Sequence, residues 1–435
     1  MKIMHFSKIK FKYPVLVFLI LQCGTGYMKS QDWAKSNIRE LQRVDLRDLG
    51  YPMVNEIPEN SSAITSLLTA HDGLIYGGTS GEESYLFLFN PSVNKVRHLG
   101  KIPGQEGVHH AMVEDKNGSI YVGTGRNMFD EISLSKGGIG EKELIDKTLW
   151  DDIKNHFRDY PGGHLYRYVP KLSNQKVKLA DMPCELEDLG IPVSHNSVYT
   201  LTINPEKEEI YGLTYPDGHF FIYGIETKKI TDLGTIDEKI VFHGPERFWR
   251  SLSRAMICDK SGKVFFSGTE GKLMHYDPGT GKIESSDIKI PGDYYYLQFF
   301  EDYTVAEYFT KDPSGIIYGG TSDGYLFSFD PVSMKLLNLG KMRVSRRLRC
   351  LSMGQDGRVY MMAGERSSSR PCQFYSYDPR TGSYNDLGLL IVDRSPYYYW
   401  RGQQFDAMTT GNDGTLYIGE SERRSHLFLY IPQCR

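Results

Sequence analysis

The sequence lacks the signatures of several common protein classes. Of its 435 residues, 51 are Lys or Arg and 54 are Asp or Glu, which gives a formal net charge of -3. It contains no long cationic run, so nucleic acid is not an expected partner. No phosphate-binding loop, dinucleotide fingerprint, Gly-x-Ser-x-Gly elbow or His-Glu-x-x-His motif is present. These absences argue against the commonest nucleotide, serine-hydrolase and zinc-protease chemistries.

Cysteine is also scarce. The six cysteines show no CxxC spacing, and their number becomes odd if Cys23 is removed with an N-terminal signal. Neither a disulfide framework nor a zinc ribbon is therefore expected. Asp-Gly turns recur, but without the twelve-residue loop of a calcium site. The sequence implies no definite cofactor, and the use of a divalent cation stays open.

The N-terminus predicts export. Lys2, Lys8, Lys10 and Lys12 precede an apolar run over residues 15–21 and a small-residue segment that ends near Gly26. This pattern predicts a signal peptide over residues 1–26, and no later stretch is long and apolar enough to span a membrane. Cys23 raises the alternative of a lipoprotein, although Gln22 matches the preceding position poorly. We expect a monomer that is periplasmic or secreted.

A repeat of four short strands organises the chain. Each unit has an Ile-Tyr-Gly-Gly-like strand, a Leu-Phe-x-Tyr-like strand, an Asp-Pro turn and a strand ending in Asp-Leu-Gly. The second strand occurs seven times, as Ile75-Tyr76, Ile120-Tyr121, Ile210-Tyr211, Val264-Phe265, Ile317-Tyr318, Val359-Tyr360 and Leu416-Tyr417. Period-two alternation with Gly and Asp-Gly turns is typical of propeller blades. The sequence predicts an all-β, seven-bladed β-propeller, with eight blades as the alternative.

The two ends of the repeat predict how the ring closes. Residues 47–50 read Arg-Asp-Leu-Gly before the first complete unit, whereas the last unit stops after its third strand near Tyr430. We therefore expect the N-terminal strand to complete the C-terminal blade of one domain over residues 40–435, which removes open sheet edges. An insertion over residues 126–163 includes a predicted amphipathic helix at 141–157. A lid and a packing element are both compatible with it.

Register alignment of the blades identifies a candidate site. The position near the start of each innermost strand carries polar groups that should meet at the mouth of the central channel. These are Thr65, His110, Tyr199, Arg254, Glu307, Arg349 and Asp406, called the channel ring below; Tyr199 needs one extra turn residue to fit. Long loops and strand exits on the same face add His109, His195, Arg250, Tyr215, His219, Trp400 and Arg401. Because buried like charges are costly unless paired, the arginines predict an anionic ligand.

The residue types favour one kind of reaction. Glycoside hydrolysis ordinarily uses two carboxylates, and no clear pair is evident. β-Elimination from a uronic acid needs a cation on the carboxylate, a base for the C5 proton and an acid for the O4 leaving group. Histidine, tyrosine and arginine supply these three functions. Water-filled propeller channels also carry polar residues without catalysis, which remains the simpler interpretation for any single one.

The Ile-Tyr-Gly-Gly-Thr-Ser and Leu-Phe-x-Tyr-Asp-Pro repeats resemble those of the seven-bladed propeller lyases of bacterial glycan utilisation. This group includes ulvan lyases, rhamnose-glucuronate lyases and related dehydratase and rhamnosidase propellers. The resemblance implies acid and base roles for His110 and Tyr199, with His195, His109 or His219 as a second histidine. It implies substrate binding by Arg254, with Tyr215 and His219 in support. The ring and loop positions themselves add Arg250, Arg349, Arg401 and Trp400 as candidate substrate-binding residues.

The expected substrate is an anionic, rhamnose-containing and possibly sulfated oligosaccharide such as an ulvan fragment. Elimination at its non-reducing-end glucuronate or iduronate would leave a 4,5-unsaturated uronate. If O4 carries no sugar, the same chemistry expels water and the protein is a dehydratase. An α-L-rhamnosidase and a non-catalytic sugar-binding propeller are the alternatives.

Overall fold

Seven four-stranded antiparallel sheets make up the blades of a β-propeller in the structure, a computed structural model. The described residues are 46–49, 57–127, 155–171, 183–236, 252–293, 304–342, 347–364, 372–394, 398–422 and 425–432. The predicted fold class is confirmed, and the eight-bladed alternative is wrong. The predicted signal peptide and most of the predicted insertion helix lie outside the described residues, although residues 155–158 form a helical turn.

The strands follow the predicted repeat, with one extra hairpin, formed by Ile391–Arg394 and Tyr398–Arg401, before the last blade. Short 3-10 turns lie at Glu59–Ser61 and Thr269–Gly271. In chain order the strands are β1 (Leu46–Asp48), β2 (Ala63–Thr69), β3 (Ile75–Ser80), β4 (Ser84–Asn90), β5 (Lys95–Ile102), β6 (Met112–Glu114), β7 (Ile120–Gly123), β8 (Leu165–Tyr168), β9 (Glu187–Asp188), β10 (Ser197–Asn204), β11 (Glu209–Tyr215), β12 (His219–Gly224), β13 (Lys229–Thr235), β14 (Ile257–Cys258), β15 (Val264–Ser267), β16 (Lys272–Asp277), β17 (Lys282–Lys289), β18 (Ala306–Lys311), β19 (Ile317–Thr321), β20 (Tyr325–Asp330), β21 (Lys335–Lys341), β22 (Leu348–Met353), β23 (Val359–Ala363), β24 (Gln373–Asp378), β25 (Ser383–Gly388), β26 (Ile391–Arg394), β27 (Tyr398–Arg401), β28 (Phe405–Thr410), β29 (Leu416–Glu420) and β30 (Leu427–Tyr430).

The ring closes as the sequence predicts. Strand β1 adds to the outer edge of the last blade, whose strand order is β1-β30-β29-β28. It runs antiparallel to β30, with Leu46 opposite Tyr430, and the Leu49 amide donates to the Leu427 carbonyl at 3.0 Å. Both ends of the propeller therefore share one sheet, which joins the first blade to the last through backbone hydrogen bonds. None of the helical segments in the described ranges is long and apolar enough to cross a membrane.

The Ile-Tyr motif of the second strands places one residue on each face of a blade. Ile75 belongs to the apolar cluster shared with the last blade, whereas Tyr76 belongs to the cluster shared with blade two. This follows from the alternation of side chains along a strand. The Tyr76 hydroxyl donates to Asp72 of the preceding turn at 3.3 Å. The motif therefore packs two neighbouring blades and ties the strand to its turn.

The glycine after this motif has a packing reason. A Cβ atom at Gly77 would lie 2.1 Å from the ring of Phe87 on the third strand. The same conflict recurs at Gly319, where a Cβ would lie 2.2 Å from Phe327. The aromatic ring covers the strand backbone and leaves no room for a side chain there. The Gly-Gly and Leu-Phe motifs therefore occur together because the Phe ring packs directly on the first Gly.

A β-bulge marks the channel ring in the innermost strands. In β10 the register shifts between Val198 and Thr200, which leaves Tyr199 as the extra residue. The same shift occurs in four other inner strands, where the extra residues are Thr65, Glu307, Arg349 and Asp406. In blades two and four, His110 and Arg254 lie just before regular strands that start at Met112 and Ile257. Since a bulge redirects a side chain, this irregularity aims the ring residue inward in five of the seven blades.

Candidate functional site

The channel ring converges at the centre of the propeller. The Arg254 guanidinium of blade four reaches Asp406 of blade seven, with Nη2 and Oδ1 3.3 Å apart. These two blades are not neighbours in the ring, so the contact crosses the channel. Tyr199 is the bulged residue of its inner strand. This supports its assignment to the ring, for which the sequence alignment of blade three needed one extra turn residue.

Glu307 forms one centre of the charged cluster. Arg254 donates from Nη1 to Glu307 Oε2 at 2.7 Å. Arg347 donates from Nε and Nη2 to the two carboxylate oxygens of Glu307, both at 2.9 Å. The side chains of all three are almost completely buried. Such bidentate pairing fixes both position and orientation of the groups.

Asp406 forms the second centre. Its Oδ1 accepts hydrogen bonds from Arg349 Nε at 2.9 Å and Nη2 at 2.5 Å, in addition to the contact with Arg254. Its Oδ2 accepts from Ser421 Oγ at 2.5 Å and from Gln404 Nε2 at 3.1 Å. Both carboxylate oxygens are therefore fully engaged by protein donors.

The pKa values show which groups carry charge. Burial alone would raise the pKa of Glu307, but the charges of Arg347 and Arg254 outweigh it and lower the pKa to about 2. Burial would likewise raise the pKa of Asp406, yet Arg349 and Arg254 hold it far below its usual range. Burial would lower the pKa of Arg254, but the two carboxylates and Tyr199 raise it above its usual value. Because guanidinium groups stay protonated in proteins, the three arginines and two carboxylates leave the cluster with one positive charge.

This pairing changes the argument for an anionic ligand. The sequence suggests that an external anion must neutralise the buried arginines. Instead Glu307 and Asp406, two members of the ring itself, accept most of their hydrogen bonds. The remaining support for an anion is the single excess positive charge in a buried setting.

His110 differs from the charged members of the ring. It is partly exposed, but both ring nitrogens are buried and have no hydrogen-bond partner. Burial lowers the pKa of His110 to about 3, and the charge of Arg254 contributes further. The imidazole is therefore neutral at pH 7. Its ring lies edge-on to Tyr308, with 5.2 Å between the centroids.

Tyr199 contacts both His109 and Arg254 of the charged cluster. Its ring is 6.2 Å from that of His109 and 5.5 Å from that of Tyr215, centroid to centroid. Burial raises the pKa of Tyr199 to about 12, although the charge of Arg254 and a hydrogen bond with it act in the opposite direction. The phenol is therefore protonated at pH 7. A neutral imidazole and a protonated phenol accordingly occupy the same ring.

A cavity of about 120 Å³ lies beside His110. The inner strands of the first five blades line it, through Thr65, Ser66, Leu67, His110, Met112, Thr200, Leu201, Ala255, Met256, Tyr308 and Phe309. Several of these residues follow a ring residue by one or two positions. Because each inner strand runs from the ring towards an Asp-Gly turn, the cavity extends from the ring towards the turn-bearing face.

The second histidine of the predicted site has two distinct settings. His109 is buried next to the ring, and its Nε2 lies 3.0 Å from the Arg126 carbonyl oxygen. Burial lowers the pKa of His109 to about 4. His195 is exposed on a loop, has a φ of 57°, and contacts the Tyr160 carbonyl through Nδ1 at 2.8 Å. The structure therefore brings His109 to the ring residues and anchors His195 to a neighbouring loop.

His219 lies in a contact that repeats from blade to blade. Its Nδ1 is 2.9 Å from Asp232, the Asp of an Asp-Leu-Gly motif on the outermost strand. His164 contacts Asp188 in the same way in blade two, and Gln373 contacts Asp386 in blade six. The repetition assigns His219 a place between the outer two strands of its blade rather than in the channel ring.

The remaining predicted residues lie at the edge of the site or outside the description. Tyr215 is buried against Tyr199 and against Phe157 of the insertion. Trp400, on β27, donates from Nε1 to the buried Glu420 at 2.9 Å, which ties the extra hairpin to blade seven. Arg401 is the neighbouring residue at the end of β27 and is partly exposed. Arg250 lies outside the described residues.

Three residues gain a role that the sequence did not assign to them. Glu307 and Asp406 belong to the aligned ring, so their function as counter-ions follows once the arginines are known to be buried beside them. The alignment did not identify Arg347, because this residue lies two positions before the bulged Arg349. Its backbone is in the left-handed region, with a φ of 57°. Within the described ranges, no group of three or more His, Cys, Asp or Glu side chains is arranged to hold a metal ion.

Comparison with known proteins supports the fold and leaves the chemistry open. No family profile matches the chain. A stretch of 128 residues is 23% identical to echinoderm microtubule-associated protein-like 4 of Xenopus laevis, covering 29% of this chain and 14% of that protein. The chain thus corresponds to about one seventh of that relative's length.

Two solved structures share the architecture at low identity. Virginiamycin B lyase from Staphylococcus aureus has a TM-score of 0.56 and 9% identity, with 89% of this chain and 99% of the lyase covered. A fungal alcohol oxidase in complex with copper has a TM-score of 0.55 and 12% identity, with 89% and 76% covered. The class that the fold defines is therefore the β-propellers, whose members in this comparison include a lyase and an oxidase. At these identities the likeness shows the fold alone.

Proposed function

We propose that this chain is a carbohydrate-active lyase that eliminates across C4 and C5 of a uronic acid in an anionic oligosaccharide. The observation that carries the proposal is His110. It is a neutral imidazole with two unpartnered buried nitrogens, and it lies in one ring with a protonated tyrosine and a positively charged cluster. A base, an acid and a positive field are the three requirements of uronate elimination.

The proposed reaction assigns one step to each group. The excess positive charge around Arg254 attracts the uronate carboxylate and stabilises the negative charge that develops on it. His110 removes the C5 proton, and the electrons of the C5–H bond form the C4=C5 double bond. The C4–O4 bond breaks, and Tyr199 donates its proton to the departing oxygen. The products are a 4,5-unsaturated uronate and either a shortened glycan or, if O4 is unsubstituted, water.

The pKa values set the protonation states that this assignment needs. His110 must be neutral to accept a proton, and its lowered pKa satisfies this at pH 7. Tyr199 must be protonated to donate, and its raised pKa satisfies this too. A base with so low a pKa is weak, but a bound uronate would raise the pKa of His110 by placing a negative charge beside it.

The candidate substrates are rhamnose-containing and sulfated oligosaccharides with a glucuronate or iduronate at the non-reducing end, such as ulvan fragments. The α-L-rhamnosidase alternative would release free rhamnose and no unsaturated product. A non-catalytic sugar-binding propeller would bind the glycan and leave it unchanged.

An absorbance assay tests the proposal. The purified protein is incubated with uronate-containing oligosaccharides, and ultraviolet absorbance of the conjugated double bond is followed together with product mass. A mass lower by one water without cleavage identifies a dehydratase. No absorbance change across a panel of uronates, with sugar binding retained, would leave the binding protein as the function.

Substitutions test the site. His110→Ala and Tyr199→Phe should each reduce turnover by about 10²–10⁴-fold, the usual contribution of a general acid or base. His71→Ala is a matched control, because His71 is an exposed turn residue that contacts Glu114 at 2.8 Å on the opposite face. Wild-type rates in both ring variants would show that the catalytic groups lie elsewhere.

We also propose that the chain is exported after removal of residues 1–26. The basic segment, apolar core and small-residue exit support this. N-terminal sequencing of the protein recovered from periplasm or medium gives the cleavage site. Recovery from the cytoplasm with Met1 retained, or a lipid on Cys23, would overturn simple cleavage.

A further inference from the structure

His195 is held by two hydrogen bonds to the end of the insertion. Its backbone N–H donates to the Pro161 carbonyl oxygen at 3.2 Å, and its Nδ1 lies 2.8 Å from the Tyr160 carbonyl oxygen. A carbonyl oxygen can only accept a hydrogen bond, so Nδ1 carries a proton and donates it. The main chain and the side chain of His195 are therefore both tied to residues 160–161, which restricts rotation of the imidazole.

This contact decides which nitrogen of a neutral His195 can accept a hydrogen bond. A neutral imidazole carries one proton, so with Nδ1 protonated the lone pair lies on Nε2. The residue is exposed, and no hydrogen-bond partner of Nε2 lies among the described residues. Since Nδ1 faces the Tyr160 carbonyl, Nε2 lies on the far side of the imidazole from this anchor. The free protein thus presents one oriented acceptor to solvent.

The backbone around His195 is also fixed. The φ of 57° at His195 lies in the left-handed region, which few non-glycine residues adopt. The next residue, Asn196, is buried, accepts the Asp217 amide at 2.9 Å and donates to the Asp217 carboxylate at 3.0 Å. Backbone conformations of this kind persist where the surroundings determine them, and they concentrate at ligand-binding sites. His195 is therefore oriented before any ligand binds.

The acceptor lies beside the channel ring. His195 precedes β10 on the face with the long loops, four residues before Tyr199, so the two Cα atoms are within about 14 Å of each other. A continuous series of aromatic contacts connects the anchor to the channel ring, with centroids 5.9, 5.8 and 5.5 Å apart, through Tyr160, Phe157, Tyr215 and Tyr199. The position of the imidazole is thus coupled by packing to the proposed acid.

An oriented and exposed acceptor suits a sugar hydroxyl, which is a hydrogen-bond donor present on every unit of an oligosaccharide. A group that is already fixed loses little conformational freedom when it binds. We propose that Nε2 of His195 accepts a hydrogen bond from one hydroxyl of the oligosaccharide that binds at the channel ring. His195 is then a substrate-binding residue and not one of the proton-transfer groups. This inference rests on the proposed function, from which it takes the substrate.

His195→Asn separates the acceptor from its anchor. Asparagine Nδ2 is as many bonds from the backbone as histidine Nδ1, so the donor to the Tyr160 carbonyl is kept while Nε2 is lost. Asparagine also adopts a left-handed φ readily. His164→Asn is the matched control, because His164 contacts Asp188 through Nδ1 at 2.9 Å within blade two.

Binding is measured by calorimetry in the Tyr199→Phe background, so that the sugar is not consumed. The probes are an ulvan oligosaccharide with a terminal glucuronate and a series of derivatives that each lack one of its hydroxyls. ¹⁵N NMR of the free protein identifies the protonated nitrogen of His195. Formation of the unsaturated product is followed separately, by absorbance, with Tyr199 intact.

With His195 present, one derivative should bind about fivefold more weakly than the parent sugar, the usual net contribution of one neutral hydrogen bond. With His195→Asn the parent should bind about fivefold more weakly, and that derivative should bind as well as the parent, because both partners of the bond are then absent. His164→Asn should discriminate as the unsubstituted protein does.

Unchanged discrimination in His195→Asn, a proton on Nε2 in the free protein, or binding of none of the probes would overturn the inference. If discrimination depends on His195 but no unsaturated product forms, the hydroxyl contact stands and the lyase proposal fails. If product forms and discrimination does not depend on His195, the lyase stands and the contact fails.

Discussion

The channel ring has two arcs that share a backbone position and differ in chemistry. The charged arc, on blades four to seven, comprises Arg254, Glu307, Arg349 and Asp406. The uncharged arc, on blades one to three, comprises Thr65, His110 and Tyr199. Bulges or strand starts place both arcs at the channel mouth. The comparison shows that the propeller sets where seven side chains point, while the sequence decides which of them pair with each other.

The charged arc is largely self-contained. Its groups satisfy one another through buried hydrogen bonds that connect four blades. Burial of these four charges and of Arg347 is costly, and the hydrogen bonds offset that cost only while each member has its partner. The uncharged arc is not held together by such mutual hydrogen bonds, because both ring nitrogens of His110 lack a partner. Stability is therefore expected to depend on one arc and reactivity on the other.

Removal of Asp406 should give the largest effect on stability. Asp406→Ala leaves Arg349 without its carboxylate and Arg254 with one fewer, in a buried environment. The free energy of unfolding should fall by about 3–5 kcal/mol, the usual cost of breaking a buried ion pair from one side. Urea denaturation followed by tryptophan fluorescence measures the change.

Glu187→Gln is the matched control for this prediction. It removes a carboxylate from contacts with Lys228 at 3.1 Å and Arg167 at 3.4 Å on an exposed outer strand. Its cost should be below about 1 kcal/mol, since solvent screens an exposed pair. Equal costs for the two variants would mean that the charged arc contributes no more than a surface pair.

The pH dependence of stability should separate the two arcs. The pKa of Glu307 is about 2 in the folded protein, below its usual 4.5, so its stabilising contribution is present above pH 4.5 and is lost as the pH falls towards 2. The pKa of His110 falls from 6.5 to about 3 on folding, so the unfolded chain binds its proton first and stability declines from pH 6.5 downwards.

His110→Gln tests the sign in the upper window. The variant removes a group that titrates in the unfolded state but not in the folded state between pH 6.5 and about 3. The decline of the urea midpoint over that interval should become shallower, whereas the fall below pH 4.5 should persist through Glu307. His71→Gln, at an exposed turn outside the ring, is the control for the loss of a histidine. An unchanged slope in His110→Gln would mean that the imidazole is protonated in the folded protein.

Much of the architecture was predictable from the sequence because the repeat is regular. The Ile-Tyr pairs occur once per blade, and the unpaired Asp-Leu-Gly near residue 48 requires a partner at the other end of the chain. Both features became the observed sheets and the β1–β30 contact. Register alignment also placed the ring, including Tyr199, because one strand position recurs in all seven blades.

The partners of the ring residues could not be predicted in the same way. Whether Arg254 faces a ligand or Glu307 depends on side-chain directions across the channel, which no sequence spacing encodes. Arg347 reaches the cluster from a loop with positive φ, a local conformation that the strand pattern does not reveal. The sequence places His219 on the face of the site because it starts a strand there, yet in the structure its ring contacts Asp232 within the blade.

Tyr199 is the link between the arcs, and its loss should have an intermediate effect. Tyr199→Phe removes the hydroxyl beside Arg254 while keeping the ring that packs on Tyr215. The free energy of unfolding should fall by about 1.5–3 kcal/mol, the usual contribution of one hydrogen bond to a charged group. Turnover should fall far more. If the free energy of unfolding and the turnover both change little, the Tyr199 hydroxyl neither stabilises the charged cluster nor takes part in catalysis.

His219→Ala should have the smallest effect and sharpens the boundary of the site. His219 is about one quarter exposed and contacts Asp232, which also accepts the Gly234 amide at 2.8 Å. Loss of the imidazole leaves that turn intact, so stability should fall by less than about 1 kcal/mol, as for other exposed pairs. Turnover on the uronate substrate should equal that of the Asp232→Asn variant and remain close to wild type. A loss of turnover comparable to that of His110→Ala, with stability unchanged, would extend the reactive region from the uncharged arc to the third strand of blade three.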